Sequence, residues 1–183
     1  MTWDLYNALN FDGENQVHPV SGLQYYYDGD GHRVAKSDGS RYWYDDNFKV
    51  VSTADSSNTL KRDYFYFNGT RLGWVTISSG DPHYYLNDAL GSPCVIANGD
   101  GTVISWEADY RPYGTDQVIS NGDGLDVHYL FTGYEYDSEM GSADADYYAN
   151  LRYESSSLGR FFQPDPIGAI PRIRSRGTDI HMR

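Results

Sequence analysis

Cysteine is almost absent from this chain. Cys94 stands alone in 183 residues, so no disulfide can form within it and the fold must rest on packing and ladder hydrogen bonds. Long apolar runs are missing as well: none approaches the ~20 residues needed to cross a bilayer. The opening Met1-Thr2-Trp3-Asp4 lacks the charged and apolar regions of a signal peptide, so the expectation is that export is not encoded here. Basic side chains are few, 14 against 26 acids for a net charge of -12, which argues against nucleic acid as a partner because phosphate binding needs a cationic footprint. Residues 169–183 hold four of those cations (Arg172, Arg174, Arg176, Arg183) and one acid, Asp179, leaving -15 on the remainder; an acidic body with a short basic end reads as solubility. There is no G-x-S-x-G elbow, nothing around Cys94 resembles a nucleophile motif, and His18, His32, His83, His128 and His181 show neither triad nor metal spacing. No cofactor and no metal are expected.

What is abundant is tyrosine, 18 residues, and glycine, 19, with aromatics at 16% and the apolar fraction at only 39%. Burial must then rely on amphipathic rings, which suit a pleated strand face better than an aliphatic helix. Tyr27-Asp28 recurs as Tyr44-Asp45 after 17 residues, and Tyr66 follows 22 later in DYFYFNG, residues 63–69. Each unit of about twenty residues alternates aromatic and polar positions, breaks at Gly, Asp or Asn, and alternates again, as in Arg33-Val34-Ala35-Lys36. That is the pattern of a β-hairpin. Hairpins of this size are marginal alone and must stack in series, which predicts strand far in excess of helix in one or two curved antiparallel sheets. Tyr25, Tyr27, Tyr42, Tyr44 and Phe65 are the expected packing rings, at repeating positions on one or both faces. Later units read as residues 84–96, 102–113 and 127–132; residues 142–153 fit a helical turn or a strand equally. Three Asp/Asn-Gly-Asp-Gly clusters, at 28–31, 98–101 and 121–124, have the wrong spacing for a calcium loop and read as type I′ hairpin turns. Asn68-Gly69-Thr70, formally a glycosylation sequon, reads as one more turn. Unpaired edge strands near residues 3–23 would favour self-association.

The most idiosyncratic stretch is LGRFFQPDPIG, residues 158–168, accompanied by FTGYEYDSEMG at 131–141 and DYYANLRYE at 146–154. These closely resemble the RHS repeat-associated core, the C-terminal part of RHS or YD-repeat proteins. LQYYYDGDGHRVAK (23–36), YWYDDNFKVV (42–51), YYLNDALGSPCVI (84–96) and WEADYRPYG (106–114) resemble successive units of the same family. The resemblance implies an all-β fold of YD-repeat hairpins stacked in a curved, spiralling antiparallel sheet, part of an RHS cocoon, with a C-terminal core-associated plug. Residues 1–19 are then a leading segment, 20–130 the repeat hairpins, 131–168 the core-associated region, and 169–183 a divergent basic tail expected to be disordered. The implied function is a shell and plug segment of a toxin-encapsulating protein for delivery or interbacterial competition. Its implied partners are the rest of the shell and a C-terminal toxin domain, and its implied place is secreted or cell-surface. Two alternatives stand beside it: an aspartic autoprotease that releases a C-terminal toxin, and an extracellular YD-repeat recognition or carbohydrate-binding module.

Asp137 and Asp165 occupy the two positions where the RHS core resembles a self-cleaving aspartic protease. That chemistry needs two carboxylates close enough for one to hold a proton while the other activates water, and 28 residues separate these two. From its residues alone, an Asp before Pro is a turn or cap residue. Arg111, Arg152 and Arg160 match positions that are often Arg in the family, where a carboxylate-binding, register-fixing role is expected ahead of a catalytic one. The chain departs from the family pattern at Glu135-Tyr136-Asp137, where Glu-Arg-Asp is usual. It also inserts Ser142-Ala143-Asp144-Ala145, and after Gly168 it diverges where a second Asp-Pro-x-Gly is usual. Self-cleavage of this chain is not expected.

Overall fold

The alternating tyrosines do form strands. The computed structural model describes residues 23–140 and 146–165. Ten strands run in sequence: β1 (Tyr25–Tyr27), β2 (Arg33–Lys36), β3 (Arg41–Tyr44), β4 (Val50–Ala54), β5 (Leu60–Phe67), β6 (Thr70–Thr76), β7 (Asp81–Asn87), β8 (Pro93–Asn98), β9 (Ile104–Tyr110) and β10 (Asp116–Ser120). Each pairs antiparallel with the next, so among the described residues β1 and β10 end the sheet and it does not close on itself. Tyr25, Tyr42, Tyr64, Trp74, Tyr85, Ile96 and Trp106 are buried on one face, while Tyr26, Trp43, Tyr84 and Leu86, one residue away from them, are exposed. Period-two alternation leaves no other outcome for a sheet covered on one side. Among the described residues no helix is long and apolar enough to cross a membrane.

The aspartate of each Tyr-Asp pair builds the turn. Asp28 N–H donates to the His32 carbonyl at 2.9 Å, Gly31 N–H donates back to the Asp28 carbonyl at 3.2 Å, and Asp28 Oδ1 accepts the N–H groups of Asp30 and His32. Asp45, Asp55 and Asp88 repeat the pattern. The residue of positive φ is the fourth of the turn: Gly31, Phe48, Asn58 and Gly91. This corrects the type I′ expectation for the three Gly-Asp-Gly clusters. Type I′ needs positive φ at both central residues, whereas in these clusters it falls on Gly31, Gly101 and Gly124, the signature of a type I turn followed by a left-handed bulge residue. Type I′ geometry occurs instead at Asn68 (φ 47°) and Gly69 (φ 82°), which close the Phe67–Thr70 pair of the β5–β6 hairpin.

A second sheet covers the buried face. β11 (Glu135–Tyr136), β12 (Asp146–Tyr148), β13 (Tyr153–Ser155) and β14 (Arg160–Phe161) pair in that order. Tyr147, wholly buried, joins Tyr64, Trp74, Tyr85, Ile96 and Trp106 in one core with Tyr129 and Leu130, and its hydroxyl donates to the Gly114 carbonyl at 2.6 Å. A smaller core joins Tyr25 to Met140, Tyr148 and Tyr153.

Two open readings are resolved, for Phe65 and for residues 142–153, and one expectation, a strand unit at residues 127–132, is corrected. Phe65 is on the outer face, edge-on to Tyr84 at 5.7 Å, while Tyr64 takes the buried place on β5; the parity of the strand decides. Residues 127–132 form no strand: Tyr129 makes a single bridge to Glu135, and a 3-10 turn, Phe131–Gly133, follows. Within residues 142–153 the described part is strand β12, the turn after it and Tyr153, which opens the next strand. The leading segment 1–19 and the tail 169–183 lie outside the described residues, as does nearly all of the expected edge at 3–23.

Candidate functional site

The contact between the two sheets is centred on charge. Glu135 on β11, Asp137 and Glu139 alternate with Tyr136 and Ser138. The 3-10 turn Ser138–Met140, fixed by Met140 N–H on the Asp137 carbonyl, keeps Glu139 beside the others. Opposite them β2 supplies Arg33 and Lys36. Arg33 pairs with both oxygens of Asp137, through a very short Nη1 contact and an Nη2 bond of 3.1 Å. Its Nη2 also lies 2.8 Å from Glu135 Oε2, and Nη1 donates to the Tyr153 hydroxyl at 2.9 Å. Lys36 Nζ lies 2.7 Å from Asp137 Oδ1 and 2.7 Å from Glu139 Oε1. Aromatic rings enclose the group: the Arg33 guanidinium is 4.1 Å from the Tyr148 ring centre and 5.2 Å from that of Tyr25. The Tyr42 hydroxyl donates to Glu135 Oε1 at 2.7 Å, and that of Tyr25 to Glu139 at 3.2 Å.

Neither Arg33 nor Asp137 is exposed at all, so their energetics are those of desolvated charge: costly to bury, and costlier to leave half-paired. Three acids meet two cations, and the surplus negative charge divides the carboxylates. Burial raises the Glu135 carboxyl, yet Arg33, Lys36 and the Tyr42 hydroxyl outweigh it and bring the group down to about 2. Asp137 moves the other way, because its burial, with the Glu135 charge added, outweighs Arg33 and Lys36. Burial and the nearby carboxylates push the Tyr25 phenol well above its ordinary range. Such a cluster holds two surfaces in one register, since any slip strands a charge in an apolar interior.

Asp165 is not among Asp137's hydrogen-bond or ion-pair partners. It is more than half exposed and lies 3.4 Å from Arg152 Nη1, whose guanidinium stacks on Phe161 at 3.8 Å. Arg160 is an exposed residue of β14 paired through its backbone with Ser155. Arg111 is exposed and brackets the Pro112–Gly114 turn with its own N–H and carbonyl. Sequence reading missed Arg33, Lys36, Glu135 and Glu139 as members of one site. A signal was there: three acids on alternate residues, interleaved with Tyr136 and next to Met140, require cations if that face is buried. Cys94 and His83 take no part; burial pushes the Cys94 thiol up, away from thiolate, and His83 stacks on Trp74 at 4.4 Å.

No family model matches the chain. Among curated proteins it is 28% identical over 173 residues to the tRNA3(Ser)-specific nuclease WapA of Bacillus spizizenii, which covers 90% of this chain and 7% of that protein. It is 28% identical over 198 residues to mouse (Mus musculus) Teneurin-1, covering 91% of the chain and 7% of that protein. The chain therefore spans only a small fraction of these relatives. Among solved structures, the crystal structure of TcdB2-TccC3-TEV superposes with a TM-score of 0.59 at 22% identity over 89% of this chain and 9% of that one, a likeness of fold. The Tyr-Asp hairpins in unbroken series, the Gly-Arg-aromatic and Asp-Pro-Ile-Gly segment beyond them, and relatives that match nearly the whole chain agree: in sequence and in fold the chain is similar to RHS/YD-repeat proteins.

Proposed function

We propose that this chain is a wall and plug segment of an RHS-repeat shell that encloses a C-terminal toxin domain, serving toxin delivery or interbacterial competition from a secreted or cell-surface protein. The observation that carries the reading is the buried cluster of Arg33 and Lys36 with Glu135, Asp137 and Glu139. It fastens the second sheet onto the inner face of an unclosed ten-stranded wall, which is what a closing element must do. The division near residue 130, partners in the rest of the shell and in the enclosed domain, self-association through strand edges and no binding of nucleic acid belong to the same proposal. In it Asp137 is a structural member of the cluster, and Asp137 with Asp165 would act as a protease only if a further segment brought them together. Limited proteolysis of the full-length protein tests the reading. The C-terminal domain should resist digestion in the wild type and become susceptible in Asp137→Ala; equal susceptibility of the wild type would refute it.

A second reading, an extracellular recognition module, rests on the rings turned outward from the sheet: Tyr26, Trp43 and Tyr84 are 47%, 40% and 41% exposed. Such rings suit sugar faces. Retention on immobilised glycans that Trp43→Ala abolishes would favour it over the shell.

A further inference from the structure

Arg71, on β6, is a partly buried cation that the ion cluster leaves aside. Its Nε donates to the Tyr66 hydroxyl at 3.0 Å and its Nη1 to the Gly133 carbonyl at 3.0 Å. Its guanidinium carbon stands 3.4 Å from the Tyr129 ring centre and 5.2 Å from those of Tyr64 and Tyr66. Among the described residues no carboxylate forms an ion pair with it; burial opposes its charge and the neighbouring tyrosines, Tyr129 first, support it. In a chain with 26 acids and 14 cations that is an imbalance in the unexpected direction, since buried cations are ordinarily paired.

Beside Arg71 is a cavity of about 210 Å³, between the sheet's turns and the Phe131–Gly133 turn, lined also by Lys49, Tyr66, Tyr129, Thr132 and Tyr134. The hydroxyls of Tyr129, 3% exposed, and of Thr132 are buried without a hydrogen-bond partner. Lys49 is held at the rim by the Gly69 carbonyl and the Tyr66 ring. Glu135 reaches the same wall, but its oxygens are taken by Arg33 and Tyr42. A guanidinium without a counterion and two idle hydroxyls form a set of donors lacking an acceptor. The aromatic walls favour a flat group, and the Glu135 charge favours a monoanion over a dianion.

We propose that this cavity is a carboxylate-binding site, in which Arg71 pairs with the anion and the Tyr129 and Thr132 hydroxyls donate to it. The carboxylate belongs to a small molecule, either an open-chain acid resembling an acidic side chain or a sugar acid. The site is independent of the shell reading.

Calorimetric titration of the 183-residue chain with glutarate, glucuronate, their neutral counterparts glutaramide and glucose, and inorganic phosphate tests it. Saturable binding of a carboxylate and none of the neutral compounds is expected; glutarate the tighter identifies an open-chain acid, glucuronate the tighter a sugar acid. Arg71 packs on three rings, so Arg71→Gln can fail by unfolding. The deciding variants are Tyr129→Phe and Thr132→Val, which remove hydroxyls that bond nothing in the protein. Each should keep the thermal midpoint and weaken carboxylate binding roughly fivefold to tenfold, the worth of one hydrogen bond. No saturable carboxylate binding, equal binding of the neutral compounds, tighter binding of phosphate, or unchanged affinity in both hydroxyl variants would each overturn the assignment.

Discussion

Arg33 and Asp137 stand 104 residues apart in sequence and meet as a two-pronged ion pair with neither side chain exposed. Removing one partner of such a pair leaves a naked buried charge, at about 3–5 kcal/mol, whereas replacing both by apolar groups of similar size can be close to neutral. Arg33→Met should therefore cost about that much, and Arg33→Met with Asp137→Leu should recover a large part of it. Urea denaturation followed by tryptophan fluorescence reads both; a single-variant loss below about 1 kcal/mol would remove the cluster from its place as the fastening.

Glu135 sets an acid limit. Its folded value, about 2, lies below the ordinary 4.5, so its contribution is fully present above pH 4.5 and drains away as pH falls toward 2. Asp137, raised by burial, acts in the opposite sense and softens the slope. Wild-type stability should fall between pH 4.5 and 2 more steeply than that of Glu135→Gln. Denaturation midpoints across that window decide, and parallel curves would contradict the assignment.

Gly73 on β6 has φ 154°, and a Cβ there would come within 1.9 Å of the His83 carbonyl oxygen and 2.7 Å of Phe65. The obstacle is backbone of the paired strand, which cannot step aside without breaking the β6–β7 ladder. Gly73→Ala should destabilise by about 1–3 kcal/mol or more, the range for strained backbone. A variant as stable as wild type on thermal melting would show that the strands separate freely.

The two faces of β5 should differ in energy. Tyr64 is buried against Tyr129, edge-on at 5.1 Å, whereas Phe65 is half-buried on the outer face. Tyr64→Ala should cost roughly 3 kcal/mol or more, as aromatic deletions in cores do, and Phe65→Ala less than half of that. Equal losses on chemical denaturation would deny the parity.

Self-cleavage is testable directly. With Asp137 bound to Arg33 and Lys36 and Asp165 beside Arg152, a family-like downstream segment grafted after Gly168 should remain uncleaved by intact mass. Cleavage that both Asp137→Asn and Asp165→Asn abolish would establish the dyad instead.

The strands and their faces were legible because alternation leaves a sheet one choice: Tyr25, Tyr42 and Tyr85 are buried where period two puts them. The face of Phe65 stayed open because DYFYF offers aromatic residues on both parities, and only the Tyr64–Trp74 pairing shows which one faces inward. The turns were legible in place and not in type, since Gly-Asp-Gly permits positive φ at several positions and Asp28 Oδ1 selects one of them. Only the acidic half of the ion cluster left a signal: its cations lie about a hundred residues away, and no local pattern in Arg33-Val34-Ala35-Lys36 shows that both turn inward.

That separation also imposes an order in time. Every strand of the large sheet pairs with its sequence neighbour, so each hairpin can form as soon as it leaves the ribosome. Arg33 and Lys36 must wait longer: their counterions at 135, 137 and 139 are translated about a hundred residues later, roughly 5–20 s at ordinary elongation rates. For that interval β2 carries two cations that cannot be buried, and the N-terminal end of the sheet must remain wet while the strands behind it settle.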